Sequence, residues 1–232
     1  MNILLFGATG MVGDGALRWL IASPKVTRVV AVSRKPLSLH HPKLGSVVET
    51  DMFHIQRLDT LQDFDACFLC LGAGSVGMNA EDYRHLTYEL TLSVVQQLLA
   101  RNPRMVFEYI SGEGTDANSW QRWARVKAET EAAFFKLGFR GAFGLRSGFI
   151  QPKRGATGRV RSVRWMCAFT APIYPFLQKT FGRWVTSTDL LATAMLQLAV
   201  TGSDKKVFNT SELNALTGHA SYSLFAWCST LA

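Results

Sequence analysis

Apolar segments with two different periodicities alternate along the first two thirds of the chain. Short continuous apolar runs are typical of buried strands, and apolar residues spaced three and four positions apart are typical of amphipathic helices. The predicted strands are Asn2–Phe6, Val26–Ser33, Val47–Thr50, Ala66–Leu71, Met105–Ile110 and Gly141–Leu145. The predicted helices are Val12–Ala22, Glu81–Ala100, Ser119–Leu137 and Ser187–Val200.

This alternation predicts the fold class. Strands that alternate with helices pair in parallel through crossover connections, which gives an α/β fold with a doubly wound parallel sheet. The chain has 232 residues, of which 48% are hydrophobic, and this suits a single globular domain. The alternation stops after Gly148, so residues 151–184 are expected to form a small insertion on the substrate side of the scaffold. In such folds the ligand lies at the carboxyl ends of the strands.

The first predicted strand ends at three glycines spaced three residues apart, Gly7, Gly10 and Gly13. A glycine inside regular structure costs about 0.5–1 kcal/mol relative to alanine, so three of them need a local reason. A glycine turn between a strand and a helix lets a phosphate approach bare backbone N–H groups at the helix N-terminus. The sequence therefore predicts a dinucleotide site at this turn.

A strand, the pattern G-x-x-G-x-x-G and a helix, in this order, resemble the extended and atypical short-chain dehydrogenase/reductase superfamily. The likeness is greatest to its small NAD(P)-binding branch, which includes NmrA-like and Tat-interacting-protein-like members, and it covers about residues 1–200. It implies that residues 1–232 form one NAD(P)-binding Rossmann domain. It also implies a set of cofactor contacts at the turn and at the ends of later strands. These are Gly7, Thr9, Gly10, Met11, Val12, Gly13, Asp51, Leu71 and Gly72.

The residues after the second strand bear on the choice between NADP and NAD. Where a free ribose 2′-hydroxyl is bound, an Asp or Glu usually stands roughly twenty residues past the glycines. This chain has Ser33, Arg34 and Lys35 there. A guanidinium can bind a 2′-phosphate through two hydrogen bonds, so Arg34 favours NADP, with NAD as the other choice. The alternative is that Arg34 and Lys35 belong to a solvated loop.

The catalytic residues are where this chain departs from the family pattern. The resemblance implies a serine at the end of the fifth strand, here Ser111, and a Tyr-x-x-x-Lys motif whose lysine, here Lys127, holds the ribose. The tyrosine position is occupied by Trp123. An indole N–H donates a hydrogen bond but does not exchange a proton near neutral pH. Because general acid–base help typically contributes 10²–10⁴-fold, its loss predicts an atypical active site.

Two functions follow from this departure. The first is an oxidoreductase or epimerase-like enzyme, in which Tyr109, two residues before Ser111, could point its hydroxyl into the crevice. The alternative for Tyr109 is a buried core position, and a substrate group or a residue of the insertion could then move the proton. The second function is a non-catalytic NADP(H)-binding redox sensor or assembly protein.

Charge is concentrated in one part of the chain, whose formal net charge is +8. Between Glu131 and Asp189 there is no acidic residue, and basic and aromatic residues are interleaved. The ten basic residues are Lys136, Arg140, Arg146, Lys153, Arg154, Arg159, Arg161, Arg164, Lys179 and Arg183. This mixture suits an anionic or acyl small-molecule substrate, or peripheral contact with an anionic membrane. A solvated basic face is the alternative, and nucleic acid is disfavoured because no recognised binding module accompanies the charge.

The remaining features bear on location, metals and assembly. No apolar run suits a secretory signal peptide or a membrane span, so a cytoplasmic location is expected, with membrane contact only at the periphery. Cys67 and Cys70 fall three apart in a predicted strand and face opposite sides of the sheet, so no metal site is predicted. The resemblance also suggests a homodimer, since the helices Glu81–Ala100 and Ser119–Leu137 often pair in relatives.

Overall fold

In the computed structural model the described residues are 1–72, 75, 77–156, 174, 180–181 and 183–218. The predicted insertion at 151–184 lies mostly outside them, so its placement on the substrate side of the scaffold stays a prediction. Within the part of the chain that is described, no helix has the length and apolar content needed to span a membrane.

The central element is a seven-stranded parallel sheet. The strands of the structure are β1 (Asn2–Phe6), β2 (Arg28–Ser33), β3 (Leu44–Val48), β4 (Ala66–Leu69), β5 (Val106–Gly112), β6 (Gly141–Ser147), β7 (Phe149–Gln151), β8 (Val185–Ser187) and β9 (Val207–Asn209). The sheet order is β3-β2-β1-β4-β5-β6-β9, and β7 and β8 form a separate parallel pair. The predicted α/β fold with a doubly wound parallel sheet is confirmed.

The helices follow the strands in the expected alternation. They are α1 (Met11–Ala22), α2 (Ala80–Arg84), α3 (Leu90–Leu99), α4 (Arg122–Phe134) and α5 (Thr188–Thr201), and residues 210–218 form a further helix, α6. The predicted helix Glu81–Ala100 contains one π-helical turn, His85–Glu89, between α2 and α3. The sequence predicts one continuous helix here because a π turn adds only one residue to the apolar repeat.

The two faces of the sheet carry separate hydrophobic clusters, as the period of two along a strand requires. Ile3 and Leu5 point to the face covered by α1 and α5, and Leu4 and Phe6 point to the face covered by α3 and α4. Cys67 belongs to the second cluster and Cys70 packs against the first, which confirms that the two thiols face opposite sides.

The last strand of the sheet was not predicted. Strand β9 has only three residues and pairs with β6 through Gly144–Val207, Leu145–Phe208 and Arg146–Asn209. A three-residue strand followed directly by a helix shows too little alternation to be read from sequence. Tertiary pairing with β6 alone defines it.

Candidate functional site

The glycine turn between β1 and α1 is closely packed against the protein's own backbone. Gly7 has φ of +81°, and a Cβ at this position would overlap the carbonyl of Cys70. A Cβ at Gly13 would overlap the carbonyl oxygen of Gly7. Two of the three glycines are therefore needed so that the strand, the turn and the helix can pack together, with or without a ligand.

Gly10 is different from the other two. It is the N-cap of α1, has φ of −88°, and makes no side-chain cap hydrogen bond. A Cβ here would have only the Gly7 carbonyl oxygen nearby, at 3.4 Å. Position 10 therefore leaves the N-terminus of α1 uncovered, and the first-turn N–H groups that a helix cannot bond internally stay open to a ligand.

A cleft of about 520 Å³ opens beside the turn, at the carboxyl ends of β1, β2 and β4. Six of the predicted cofactor residues line it: Gly7, Thr9, Arg34, Asp51, Leu71 and Gly72. The structure thus brings residues from four separate stretches of the chain to one cavity.

The other predicted cofactor residues are placed differently. Met11 and Val12 open α1, but their side chains pack against the core cluster beneath α1, so only their main-chain atoms face the helix N-terminus. Gly13 is buried under Gly7. Lys127 lies on α4, beside the end of β5, and does not line the cleft.

Two charged residues stand at the rim of the cleft. Arg34 is exposed, and so is Asp51, whose side chain keeps 55% of its accessible surface. Asp51 accepts hydrogen bonds from the side chain of His54 (3.0 Å) and the backbone N–H of Phe53 (2.8 Å). These bonds lower the pKa of Asp51, because both stabilise the carboxylate form. Asp51 is therefore held as an anion facing the cleft.

Sequence reasoning missed an apolar wall of the cleft, formed by Phe53, Leu86 and Leu90. The ring of Phe53 stacks on His85 with centroids 4.5 Å apart, and Leu86 sits in the π-helical turn. Leu86 and Leu90 are four residues apart, which is the one signal that placed them on a common helix face. Such a wall suits a flat apolar ring.

Ser111 lies at the end of β5 and is 4% exposed. Its Oγ is 2.9 Å from Oγ1 of Thr115, and the Thr115 hydroxyl donates to the Gly112 carbonyl at 2.7 Å. Because Thr115 has one hydroxyl proton, Ser111 is the donor in the bond between the two side chains. A substrate oxygen that accepts from Ser111 would have to replace Thr115.

Lys127 is partly buried near the end of β5. Its Nζ donates to the Ile110 carbonyl at 3.4 Å and lies 5.4 Å from the centroid of the Tyr109 ring. Burial lowers the pKa of Lys127 to about 8, against an opposing effect of the Glu131 carboxylate one turn further on α4. Lys127 is therefore poised between its two protonation states near neutral pH.

Tyr109 is part of the hydrophobic core. It is 1% exposed, its ring makes an edge contact with Phe134 at 5.7 Å, and burial raises its pKa. This placement matches the core alternative for Tyr109 and gives no support to its role in proton transfer. The side chain at the motif position, Trp123, lies over the loop after β5, close to Gly112 and Gly114.

Curated proteins of similar sequence share most of their length with this chain. One from Aspergillus clavatus, "Protein fmp52, mitochondrial", is 31% identical over 201 residues, which cover 83% of this chain and 84% of that protein. The chain belongs to the fmp52 family. A second member, from Emericella nidulans, is 28% identical over 201 residues and covers 83% of this chain and 84% of its own. No protein-family model matches the chain.

Solved structures with a similar fold include one short-chain dehydrogenase/reductase and two enzymes in complex with NAD⁺ or NAD. The Bordetella bronchiseptica enzyme WbmF in complex with NAD⁺ has a TM-score of 0.62, with 15% identity, covering 95% of this chain and 78% of that one. A short-chain dehydrogenase/reductase from Saccharomyces cerevisiae has a TM-score of 0.64, with 15% identity over 94% of this chain and 98% of its own. The Bacillus cereus UDP-glucuronic acid 4-epimerase in complex with NAD has 0.64, with 13% identity over 90% and 76%. These likenesses show that the chain has a Rossmann-like fold.

The expectation of a cytoplasmic location is wrong. Relatives at 28% and 31% identity carry the name "Protein fmp52, mitochondrial". The expectation was based on the lack of a secretory signal and of an apolar membrane span. Neither feature separates a cytoplasmic protein from a mitochondrial one.

Proposed function

We propose that this fmp52-family protein binds NADP(H) in the cleft beside the glycine turn and acts as an oxidoreductase or epimerase-like enzyme with an atypical active site. The observation that carries the proposal is the open N-terminus of α1 at Gly10, next to a cleft lined by Gly7, Thr9, Asp51 and Gly72. The complexes of structural neighbours with NAD support a nicotinamide dinucleotide as the ligand.

The residues present fit such a cofactor. The main-chain N–H groups at the start of α1 would hold the pyrophosphate, and the wall formed by Phe53, Leu86 and Leu90 would take the adenine ring. Asp51 at the rim would accept from the adenine amino group. Arg34 would bind the 2′-phosphate of NADP, and it faces the cleft with no acidic partner among the described residues. NADP(H), when bound, would donate or accept a hydride.

Residues near the end of β5 would take part in proton transfer. Lys127 would hold the nicotinamide-side ribose, and with a pKa of about 8 its ammonium group could also release a proton near neutral pH. Ser111 would orient a substrate carbonyl by exchanging its bond to Thr115 for one to the substrate. Lys127 thus offers the proton that the tyrosine of the family motif supplies elsewhere.

A second candidate function is a non-catalytic NADP(H)-binding redox sensor or assembly protein. The observation that favours it is the pair of placements at β5 and α4: Trp123 occupies the tyrosine position, and Tyr109 is in the core. Cofactor binding would then be kept while the proton donor of the standard reaction is absent.

Dinucleotide binding is tested at position 10, where a side chain fits the fold. Gly10→Asp adds a favoured N-cap residue and a negative charge at the proposed pyrophosphate position, and Gly10→Asn is nearly the same size without the charge. We expect both variants to fold, and the aspartate to weaken NADPH binding at least tenfold more than the asparagine, by fluorescence titration. Equal NADPH affinities in the two variants would overturn the proposed pyrophosphate site.

The preference for NADP over NAD is tested at Arg34. We expect Arg34→Gln to lower NADPH affinity by about tenfold or more, the cost of a lost charge-assisted hydrogen bond, and to leave NADH affinity within a factor of two. Lys25→Gln, an exposed charge elsewhere on the surface, is the control for net charge. A similar loss for both cofactors would contradict a 2′-phosphate contact.

Catalysis is tested by NADPH oxidation with a panel of aldehydes and ketones. Turnover that falls in Lys127→Met, and that in the unchanged protein declines as pH rises through about 8, supports the enzyme. Tight NADPH binding with no turnover on any member of the panel supports the sensor. Tyr109→Phe is expected to leave turnover unchanged, since Tyr109 is buried in the core.

We also propose a mitochondrial location, which the names of the relatives support. Subcellular fractionation of the cells that express the protein, with an antibody to the untagged chain, tests it. The chain is expected to sediment with a mitochondrial matrix or membrane marker. Recovery with a cytosolic marker would contradict the proposal.

A further inference from the structure

A second concavity of about 520 Å³ lies between Ser75 and Met78 on one side and the N-terminal end of α4 on the other. Its walls include Tyr83, Trp120, Arg122, Trp123 and Arg125. None of the residues implied as cofactor contacts lines it, so it is separate from the cleft beside the glycine turn.

The charge of this cavity is of one sign. Arg122 and Arg125 both line it, and no Asp or Glu is among its described lining residues. One nitrogen of Arg125, Nη1, donates to the carbonyls of Ser119 and Trp120 at 2.7 and 2.9 Å, which fixes the guanidinium and leaves its other N–H groups available. Arg122 has no acidic partner among the residues that the structure describes. An anion would therefore find two guanidinium groups here without first breaking an ion pair.

The aromatic residues of the cavity point to the rest of the ligand. Trp120 is 86% exposed, although the exposure of a large apolar surface to water is unfavourable. It flanks the two arginines in sequence and lines the same cavity as Trp123. An exposed indole ring and a half-buried one beside two cations suit a flat apolar body that carries a negative charge.

The cavity is next to the proposed reaction centre. Trp123 lines the cavity and also lies over Gly112, the residue that follows Ser111. Trp123 is four residues before Lys127 on α4, so the two side chains emerge from neighbouring positions on one helix face. A ligand held in the cavity would thus reach toward Ser111 and Lys127 across Trp123.

We propose that this cavity is the subsite for the charged end of the substrate. Its ligand is an organic anion, a carboxylate or phosphate attached to a flat aromatic or unsaturated body, with the anion on Arg122 and Arg125 and the flat body against Trp120 and Trp123. Calling this ligand the substrate depends on the proposed function, whereas the binding of an aryl anion does not.

The test is calorimetric titration of the purified full chain, with and without NADPH, using 2-naphthoate, 2-naphthyl phosphate and the neutral 2-naphthylmethanol. We expect saturable binding of at least one anion and binding of the neutral alcohol at least tenfold weaker. The two anions distinguish a carboxylate from a phosphate ligand. Inorganic phosphate alone is expected to bind far more weakly than naphthyl phosphate, because it lacks the flat body.

Variants assign the binding to this cavity. Arg122→Gln and Trp120→Ala change exposed side chains and are expected to fold, and each should weaken the anion by about tenfold or more. Arg104→Gln removes an exposed charge elsewhere and is expected to change nothing. No saturable anion binding, or equal affinity in Arg122→Gln and Arg104→Gln, would overturn the subsite.

NADPH affinity is measured on the same samples, so the two proposals fail separately. If the unchanged protein bound the anion but not NADPH, only the proposed cofactor cleft would be contradicted. Normal NADPH binding with no anion binding would count against the subsite alone.

Discussion

The glycine turn after β1 and the β5–α4 segment lie along the same edge of one sheet, but they are constrained in different ways. At the glycine turn the backbone leaves no room: Gly7 and Gly13 are held against the carbonyls of Cys70 and Gly7. At the β5–α4 segment side chains form the surface, and Trp123 stands at the position where the family resemblance implies a tyrosine. Main-chain packing therefore sets the geometry of the turn, and side-chain identity sets the chemical character of the β5–α4 segment.

The two regions also differ in what their interiors contain. The turn packs on apolar residues of β1 and α1. The β5–α4 segment buries ionisable groups: Glu131 is 2% exposed and pairs with Arg146, and Glu108 is fully buried, with no hydrogen-bond partner for either carboxyl oxygen among the described residues. The stability of the first region therefore depends on close backbone packing. The stability of the second depends on how its buried ionisable groups are paired or protonated.

The largest loss of stability is expected for a substitution at Gly13, where the backbone contact is closest. Gly13→Val places a branched side chain against the Gly7 carbonyl and should cost more than about 4 kcal/mol, because the backbone of the turn would have to move. Gly10→Ala, the matched control, has room at 3.4 Å and should change stability by less than about 1 kcal/mol. Urea unfolding followed by circular dichroism measures both. Similar losses in the two variants would mean that the turn is not constrained by its own backbone.

The next effect tests the buried ion pair of the β5–α4 segment. Arg146 donates to both carboxylate oxygens of Glu131, with Nη2 2.6 Å from Oε2 and Nε 3.2 Å from Oε1, so Arg146→Met leaves a buried carboxylate unpaired and should cost about 3 kcal/mol. The control is Arg101→Met, whose partner Asp59 is 92% exposed, and it should cost less than about 1 kcal/mol. Thermal and urea unfolding of both variants measure the two losses of stability. Equal costs would show that Glu131 is hydrated in solution.

A third change should stabilise the protein. Burial raises the pKa of Glu108, so the carboxyl is protonated in the folded state well above the pH at which it ionises when unfolded. As pH rises above 4.5, only the unfolded state loses the proton, and the unchanged protein becomes less stable. Glu108→Leu should remove this loss and add about 1–3 kcal/mol at pH 8, with a smaller gain near pH 4.5. A gain independent of pH would contradict a protonated Glu108.

The last prediction concerns Lys127. Its contribution to stability has a pH dependence opposite to that of Glu108. Its folded-state pKa of about 8 is below the ordinary value of 10.5, so the folded state binds fewer protons between these values. The stability of the unchanged protein should therefore rise with pH through this window. Lys127→Met should be more stable than the unchanged protein at pH 7 and no more stable than it above pH 10.5. Unfolding free energies measured at intervals of pH check this, and a variant less stable at pH 7 would mean that the ammonium group is favourably held.

The local pattern of the sequence was enough for most of the fold. Each long strand of the sheet and each long helix beside it is a contiguous segment with its own periodicity. The three glycines lie directly between the first strand and the first helix. For these reasons the parallel sheet and the position of the turn were predictable, and so was the opposite placement of Cys67 and Cys70.

Side-chain neighbourhoods across the sheet were not predictable in this way. Tyr109 shares the strand face of Ser111, as its spacing required, but the tertiary structure decided that α4 covers it with Phe134. Tertiary packing also forms the cavity of arginines and tryptophans at the start of α4. It likewise places Leu86, on the π turn, at the wall of the cleft. The physical reason is that periodicity is a property of neighbours along the chain. Which side chains line a cavity depends on crossover connections that bring distant segments to one edge of the sheet.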